Sequence, residues 1–108
     1  MSSLSRKIGT DGTISLQRAL DCTEKYGLLA VPNAIRLKKY VIGDSVHMIL
    51  DVSSGRIRLP HSVRDITGFT PGTVVRYYQN SSFIIVYSPE YSGDGSEFDG
   101  LNAERLDK

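Results

Sequence analysis

Hydrophobic and polar positions alternate in short runs along the chain, and glycine, proline or asparagine bounds most of these runs. This pattern predicts short strands joined by tight turns. The predicted strands cover residues 6–9, 13–16, 28–31, 45–52, 56–59, 74–79 and 82–87. Helical spacing predicts two or three short helices, over residues 16–23, 33–41 and 60–67. We therefore expect a mainly β fold with short helices, arranged as a small β-barrel.

One segment, residues 55–75, joins a predicted strand, helix and turn and carries three arginines close together. Arg56 and Arg58 alternate with aliphatic residues, so this strand has one cationic face and one apolar face. Pro60 suits the first turn of the helix that follows, and this helix carries Arg64. The pattern therefore predicts a barrel surface that presents guanidinium groups to an anion.

The same segment resembles the AbrB/SpoVT family of swapped-hairpin DNA-binding domains. The family signature is a Gly-Arg-hydrophobic-x-hydrophobic-Pro strand, a short helix with an arginine, and a Gly-Asp-x-Val turn. The matching positions are Gly55, Arg56, Ile57, Leu59, Pro60, Val63, Arg64, Gly68, Gly72 and Val75. Thr73 stands where aspartate is usual, and the resemblance spans residues 46–89. It implies an AbrB-like swapped-hairpin or cradle-loop β-barrel that acts as a dimer or pseudo-dimer.

The resemblance also implies a function, namely a transcriptional regulator that binds double-stranded DNA as a homodimer. In the family, the arginine of the strand and the arginine of the helix contact DNA. The candidate DNA-binding residues here are Arg56, Arg58 and Arg64, with Arg36, Lys38 and Lys39 in a weaker copy of the motif. Arginine binds carboxylates as well as phosphates. The alternative for Arg36 and Arg64 is therefore an internal ion pair, with Asp44, Asp51 or Asp65 as the partner.

A weak copy of the motif region 46–88 lies within residues 12–50, in one of two registers. In the first register, residues 27–36 align with the motif 28 positions later and share its glycine, proline and arginine. In the second, residues 12–20 align with the motif 43 positions later, and Gln17 replaces the proline. Either register makes the chain a tandem pair of barrel halves, which resembles either MraZ-type proteins or the related double-psi barrels, which are single-chain pseudo-dimers. Chance recurrence of a short apolar pattern is the third reading.

Charge divides the chain into a basic part and an acidic part, although the net charge is only +1. Residues 1–88 carry 11 Lys and Arg against 6 Asp and Glu, which suits nucleic-acid binding. Residues 89–108 carry 2 basic and 6 acidic residues and are rich in serine, glycine and aspartate. We therefore expect one barrel domain over residues 1–88 and a disordered acidic tail over residues 89–108.

Other classes of function find little support in the sequence. No apolar run reaches about 18 residues, so no membrane partner is expected, and residues 1–7 lack the apolar core of a secretory signal. Cys22 is the single cysteine, which suits a reducing, cytoplasmic location. His47 and His61 have no second ligand at a metal-binding spacing, and no nucleophile or phosphate-loop motif occurs. We expect no enzyme, no metal and no cofactor.

A protein-binding module is the alternative to a DNA regulator. It would be an antitoxin or inhibitor that uses the barrel together with the acidic C-terminal tail. Phe98, Leu101 and Leu106 are spaced among charged residues there and could form a short amphipathic anchor on a protein partner. Neutralising the strand arginines would separate the two functions, because it should abolish DNA binding and leave partner binding intact.

Overall fold

Short β-strands dominate the fold, which we describe from a computed structural model over residues 4–16, 19–21, 23–52 and 55–106. The strands are β1 (Leu4–Lys7), β2 (Thr13–Ser15), β3 (Lys25–Val31), β4 (Ala34–Lys39), β5 (Met48–Asp51), β6 (Arg56–Arg58), β7 (Val74–Gln79) and β8 (Ile84–Tyr87). Helix α1 is His61–Thr67, and a single 3₁₀ turn is Ser96–Phe98. The predicted mainly β fold with short helices is confirmed.

Six strands form one antiparallel sheet in the order β1-β7-β8-β4-β3-β5. The remaining strands, β2 and β6, pair with each other as a separate two-stranded unit, which we call the ribbon. In the part of the chain that the structure describes, no strand pairing joins β1 to β5. The six-stranded sheet is therefore open and not closed on itself.

The main hydrophobic core lies between one face of the sheet and the ribbon with α1. Side chains from the ribbon and α1 reach the core from one side, among them Ile14, Ile57 and Val63, which are at most 2% exposed. Side chains from the sheet fill the other side and include Leu28, Ala30, Ile35, Leu37, Ile84 and Val86. Burial of these apolar surfaces stabilises the packing of the ribbon against the sheet.

The strand pairing divides the chain into two halves of similar topology, a first half with β1 to β4 and a second half with β5 to β8. β1 of the first half pairs with β7 of the second, and β5 of the second pairs with β3 of the first. The two halves meet where β4 pairs with β8 and where β2 pairs with β6. In the ribbon Ile14 lies opposite Ile57, 43 positions later, which corresponds to the second of the two registers considered. The 28-residue register does not fit, because it would align part of the β3–β4 hairpin with β6 and α1.

The helix predicted over residues 33–41 is wrong, since this segment contains strand β4. Asn33 has φ 71 and forms the turn between β3 and β4. In β4, Ile35 and Leu37 face the main core, while Ala34 faces a second apolar cluster on the opposite face of the sheet. A strand that is buried on both faces loses the alternation of polar and apolar residues, so its apolar spacing resembled that of a helix.

Residues 89–106, the segment expected to be a disordered tail, contact the outer face of the sheet through a few apolar side chains, while Leu106 at their end packs against the main core. We call these residues the C-terminal strap. Phe98 is 1% exposed and clusters with Leu29, Ala34 and Ile85. The Leu106 N–H donates to the carbonyl of His47 at 2.8 Å. The polar composition concealed a few apolar residues that cover an apolar sheet face, and their burial stabilises this contact.

Other local predictions have mixed outcomes. The helix after Pro60 and its end at Gly68, which has φ 78, are confirmed. The strands predicted over residues 6–9 and 13–16 correspond to β1 and β2 with shifted ends, and each pairs with a strand of the second half. The helix predicted over residues 16–23 falls partly outside the described residues.

Candidate nucleic-acid interface

The ribbon presents two of the predicted arginines on its outer face. Ile14 and Ile57 lie opposite each other and point into the core. Because side chains alternate along a strand, Arg56 and Arg58 point away from the core, and both are exposed. Thr13 lies opposite Arg58 in the ribbon. The strand thus has the cationic face that the sequence predicted.

Arg58 and Arg64 converge on the turn that precedes β2. The Arg58 Nε donates to the carbonyl of Asp11 at 3.1 Å, and the Arg64 Nη2 lies 3.5 Å from the same oxygen. The Arg64 Nε donates to the carbonyl of Leu59 at 2.8 Å. Within the described ranges, neither guanidinium has a carboxylate within 4.0 Å. Backbone oxygens therefore orient these two cations without neutralising them.

Gly12 makes room for the Arg64 side chain. It has φ 85, and a Cβ placed there would lie 2.7 Å from the Leu59 oxygen and 2.9 Å from the Arg64 Cζ. Such separations are shorter than van der Waals contact, so any larger residue would displace Arg64 or the ribbon backbone. Gly12 of the first half thus leaves the space that a cation of the second half occupies.

Arg6 is a cation of this region that the sequence did not identify. Its Nε donates to the carbonyl of Ser15 in the ribbon at 3.0 Å, and its Cζ lies 5.9 Å from the centre of the Tyr77 ring. Arg6 belongs to β1, which pairs with β7 and not with the ribbon. No sequence signal links residue 6 to residue 15, because the approach depends on how the sheet packs on the ribbon.

Arg36 does not belong to this surface, and its position gives no support to the predicted DNA contact. Its side chain is only 15% exposed and lies beneath the C-terminal strap. The guanidinium carbon is 5.4 Å from the ring centre of Phe83 and 5.8 Å from that of Phe98. Its Nη1 pairs with the Asp99 carboxylate at 3.1 Å. Arg36 therefore forms an internal ion pair, which was the alternative to DNA contact, but its partner is Asp99 and not Asp44, Asp51 or Asp65.

Lys38 and Lys39 are exposed but lie on β4, in the six-stranded sheet and not in the ribbon. Lys38 lies opposite Gly27 of β3. The Lys39 Nζ is 3.8 Å from the carboxylate of Asp21. The six predicted residues thus separate into two groups, and only Arg56, Arg58 and Arg64 belong to the ribbon and its adjoining helix.

The carboxylate of Asp11 stands near Arg58. Hydrogen bonds from the side chain and backbone of Thr13 lower the pKa of the Asp11 carboxyl, and attraction to Arg58 adds to this effect. The carboxylate is fully exposed and stays ionised at neutral pH. It reduces the positive potential at one end of the ribbon without pairing directly with Arg58.

The two histidines have different surroundings. His61 is exposed on α1, close to Arg64 along the chain. His47 is half-buried, and its Nδ1 accepts the backbone N–H of Ala30 at 3.0 Å, which requires the neutral imidazole. Burial lowers the pKa of His47. No group of three His, Cys, Asp or Glu side chains suited to a metal ion occurs among the described residues.

His47 should make stability depend on pH. The folded-state pKa of His47 is lowered, so its contribution is present above the unfolded pKa of about 6.5 and is lost as pH falls through the folded value. His47→Asn keeps an acceptor near the place of Nδ1 but cannot be protonated. Between pH 7.5 and 5 the melting temperature of the native chain should fall by roughly 5 °C more than that of the variant, since one hydrogen bond of about 1 kcal/mol is at stake. Parallel melting curves for the two proteins would contradict this assignment.

Among the described residues, no helix is long and apolar enough to cross a membrane. Comparison of the chain with protein-family models, with curated proteins and with solved structures finds no match.

Proposed function

We propose that this chain binds double-stranded DNA through the ribbon, as a transcriptional regulator of the AbrB/SpoVT type. The observation that carries the proposal is the group of Arg56, Arg58 and Arg64 on the ribbon and its adjoining helix. In the described part of the chain none of them has a carboxylate within 4.0 Å. Guanidinium groups without a protein counterion are available for phosphate oxygens, which they bind in a bidentate manner.

The shape of the ribbon suits a duplex. A two-stranded antiparallel ribbon is one of the elements that the major groove of B-form DNA admits. Arg56 and Arg58 are two residues apart on one strand, so their Cα atoms are separated by about 7 Å on the same face. Two such side chains reach neighbouring backbone phosphates, while Arg64 approaches from α1 beside them.

The exchange of strands between the two halves supports the AbrB/SpoVT part of this proposal. In a swapped-hairpin barrel two copies of one motif exchange strands, and here the first strand of each half pairs with the hairpin of the other half. One chain would then supply both copies as a pseudo-dimer. The ribbon needs no second chain, because both of its strands belong to the same molecule. The homodimer that the resemblance implies stays a prediction.

Replacing Arg56 and Arg58 together with alanine is the direct test. Binding of a mixed pool of duplex DNA should weaken roughly 30-fold at 0.1 M salt, since two charge-assisted phosphate contacts are lost. The slope of log K against log salt concentration should become shallower by about 2. Fluorescence anisotropy of labelled duplexes at several salt concentrations measures both quantities.

Lys38→Ala with Lys39→Ala is the matched control, because it removes the same charge from exposed positions on β4. Its binding should stay within about threefold of the native chain, which reflects only the change in net charge. Equal losses in the two double variants would show that the attraction is general and would reject the ribbon as the interface. No duplex binding by the native chain at low salt would reject the proposed function.

The alternative function, a protein-binding module anchored by its tail, has less support. It requires that Phe98 and its neighbours be free to enter a partner. Phe98 is 1% exposed within this chain, and Leu101 and Leu106 also pack against its hydrophobic clusters. Their apolar surface is therefore already used for folding.

A further inference from the structure

A groove beside the ribbon is lined by apolar as well as cationic side chains, whereas a surface that binds only phosphates needs cationic ones alone. Its volume is about 610 Å³, within the range of about 300–1,000 Å³ that is typical of small-molecule sites. Met48, Leu50 and Pro60 form an apolar wall. Arg58, Arg64 and His61 form the polar part of the lining.

The two arginines that border the groove have donors to spare. Arg58 uses Nε on a backbone carbonyl, and Arg64 uses Nε and one terminal nitrogen in the same way. Each guanidinium carries five N–H donors. Among the described residues, no hydrogen bond uses either terminal nitrogen of Arg58 or the Nη1 of Arg64. An anion that enters the groove therefore meets two oriented cations, neither of which has a carboxylate of the described residues within 4.0 Å.

The apolar wall restricts the class of ligand. A bare phosphate would make no contact with Met48 and Pro60, and a base-paired nucleotide keeps the faces of its base stacked inside the duplex. An unpaired nucleotide presents an anionic group together with the flat π-face of a base. We propose that this groove binds one unpaired nucleotide, with its phosphate on Arg58 and Arg64 and its base against Met48, Leu50 and Pro60. This goes beyond duplex binding by the ribbon and does not depend on it.

Titration of the full chain with adenosine monophosphate tests the proposal, with inorganic phosphate and adenosine as the two partial ligands. The nucleotide should bind at least roughly tenfold more tightly than either partial ligand, because both parts of the groove contribute. Isothermal calorimetry gives the affinities, and backbone amide NMR shifts around residues 58–64 locate the site. Phosphate that binds as tightly as the nucleotide would overturn the proposal in favour of a simple anion site.

Three variants identify the contacts. Arg64→Gln should weaken nucleotide and phosphate binding by roughly tenfold, the loss of one charge-assisted contact. Met48→Ser should weaken binding of the nucleotide but not of phosphate. Arg76→Gln removes an exposed arginine of β7 that is not among the groove residues, and it should change neither. A loss with Arg76→Gln as large as that with Arg64→Gln would overturn the proposal, since general charge would then explain the binding.

Duplex binding by the same preparation separates this inference from the proposed function. If the duplex binds and the nucleotide does not, the groove assignment fails and the DNA-binding function stands. If the nucleotide binds and the duplex does not, the proposed function fails and the groove assignment stands. Melting temperatures of all variants confirm that each protein is folded when it is titrated.

Discussion

Phe98→Ala is expected to lower the free energy of unfolding by about 3–5 kcal/mol, the usual cost of removing a buried phenylalanine ring. Phe98 is 1% exposed and packs against Leu29, Ala34 and Ile85 on the outer face of the sheet. The ring also covers the guanidinium of Arg36 at 5.8 Å. The Arg36 Nε is buried and has no hydrogen-bond partner among the described residues. Side chains that moved into the cavity would pack against this unpaired donor and would not satisfy it, so the cavity should be only partly filled.

Urea denaturation of the two proteins at one pH measures this loss. Phe83→Ala is the matched control, because Phe83 also contacts Arg36 but is only half-buried. Its loss should be about 1–2 kcal/mol, in proportion to the smaller apolar area that it buries. A loss below about 1 kcal/mol for Phe98→Ala would mean that the C-terminal strap does not hold to the sheet as described.

Gly12→Ala is expected to destabilise the protein by about 2–5 kcal/mol. A positive φ costs a residue with a Cβ about 1–2 kcal/mol, and a contact forced into a packed region adds about 1–3 kcal/mol. Gly12 has φ 85, and its new Cβ would lie 2.7 Å from the backbone oxygen of Leu59. Since the Arg64 guanidinium is the other close neighbour, the variant should also weaken duplex binding where it remains folded.

Gly72→Ala separates the two causes. Gly72 has φ 89, almost the same backbone conformation, but a Cβ there would have no neighbour within 4 Å. Its loss should be about 1–2 kcal/mol, from the backbone conformation alone, and it should leave duplex binding unchanged. Thermal denaturation gives the two stabilities. Equal losses for the two glycines would contradict the close contact between Gly12 and the Arg64 side chain.

The ribbon and Phe98 of the C-terminal strap lie on opposite faces of the sheet. The ribbon packs through Ile14 and Ile57 on one face of the sheet, and the strap packs through Phe98 on the other. Asp99 is held by Arg36 on that second face. In this arrangement the strap does not cover the ribbon arginines, and its main effect is to bury the apolar outer face.

The candidate site could be predicted only in part. Arg56, Arg58 and Arg64 were found because strand alternation and a proline before a short helix are local patterns. Arg36 was misassigned because its burial depends on Phe98, 62 positions away in the chain. Arg6 was missed for a similar reason, since it reaches Ser15 only through the packing of β1 beside the ribbon.

The sequence by itself determined the second half of the fold, from β6 through α1 to the hairpin of β7 and β8. Proline, positive-φ glycine and alternating side chains act within a few residues, so these elements need no distant partner to be recognised. Only the tertiary structure decided the identity of β4, the register of the two halves and the contact of the strap with the sheet. Each of these depends on which apolar face covers which other, and burial between distant segments leaves no mark on local spacing.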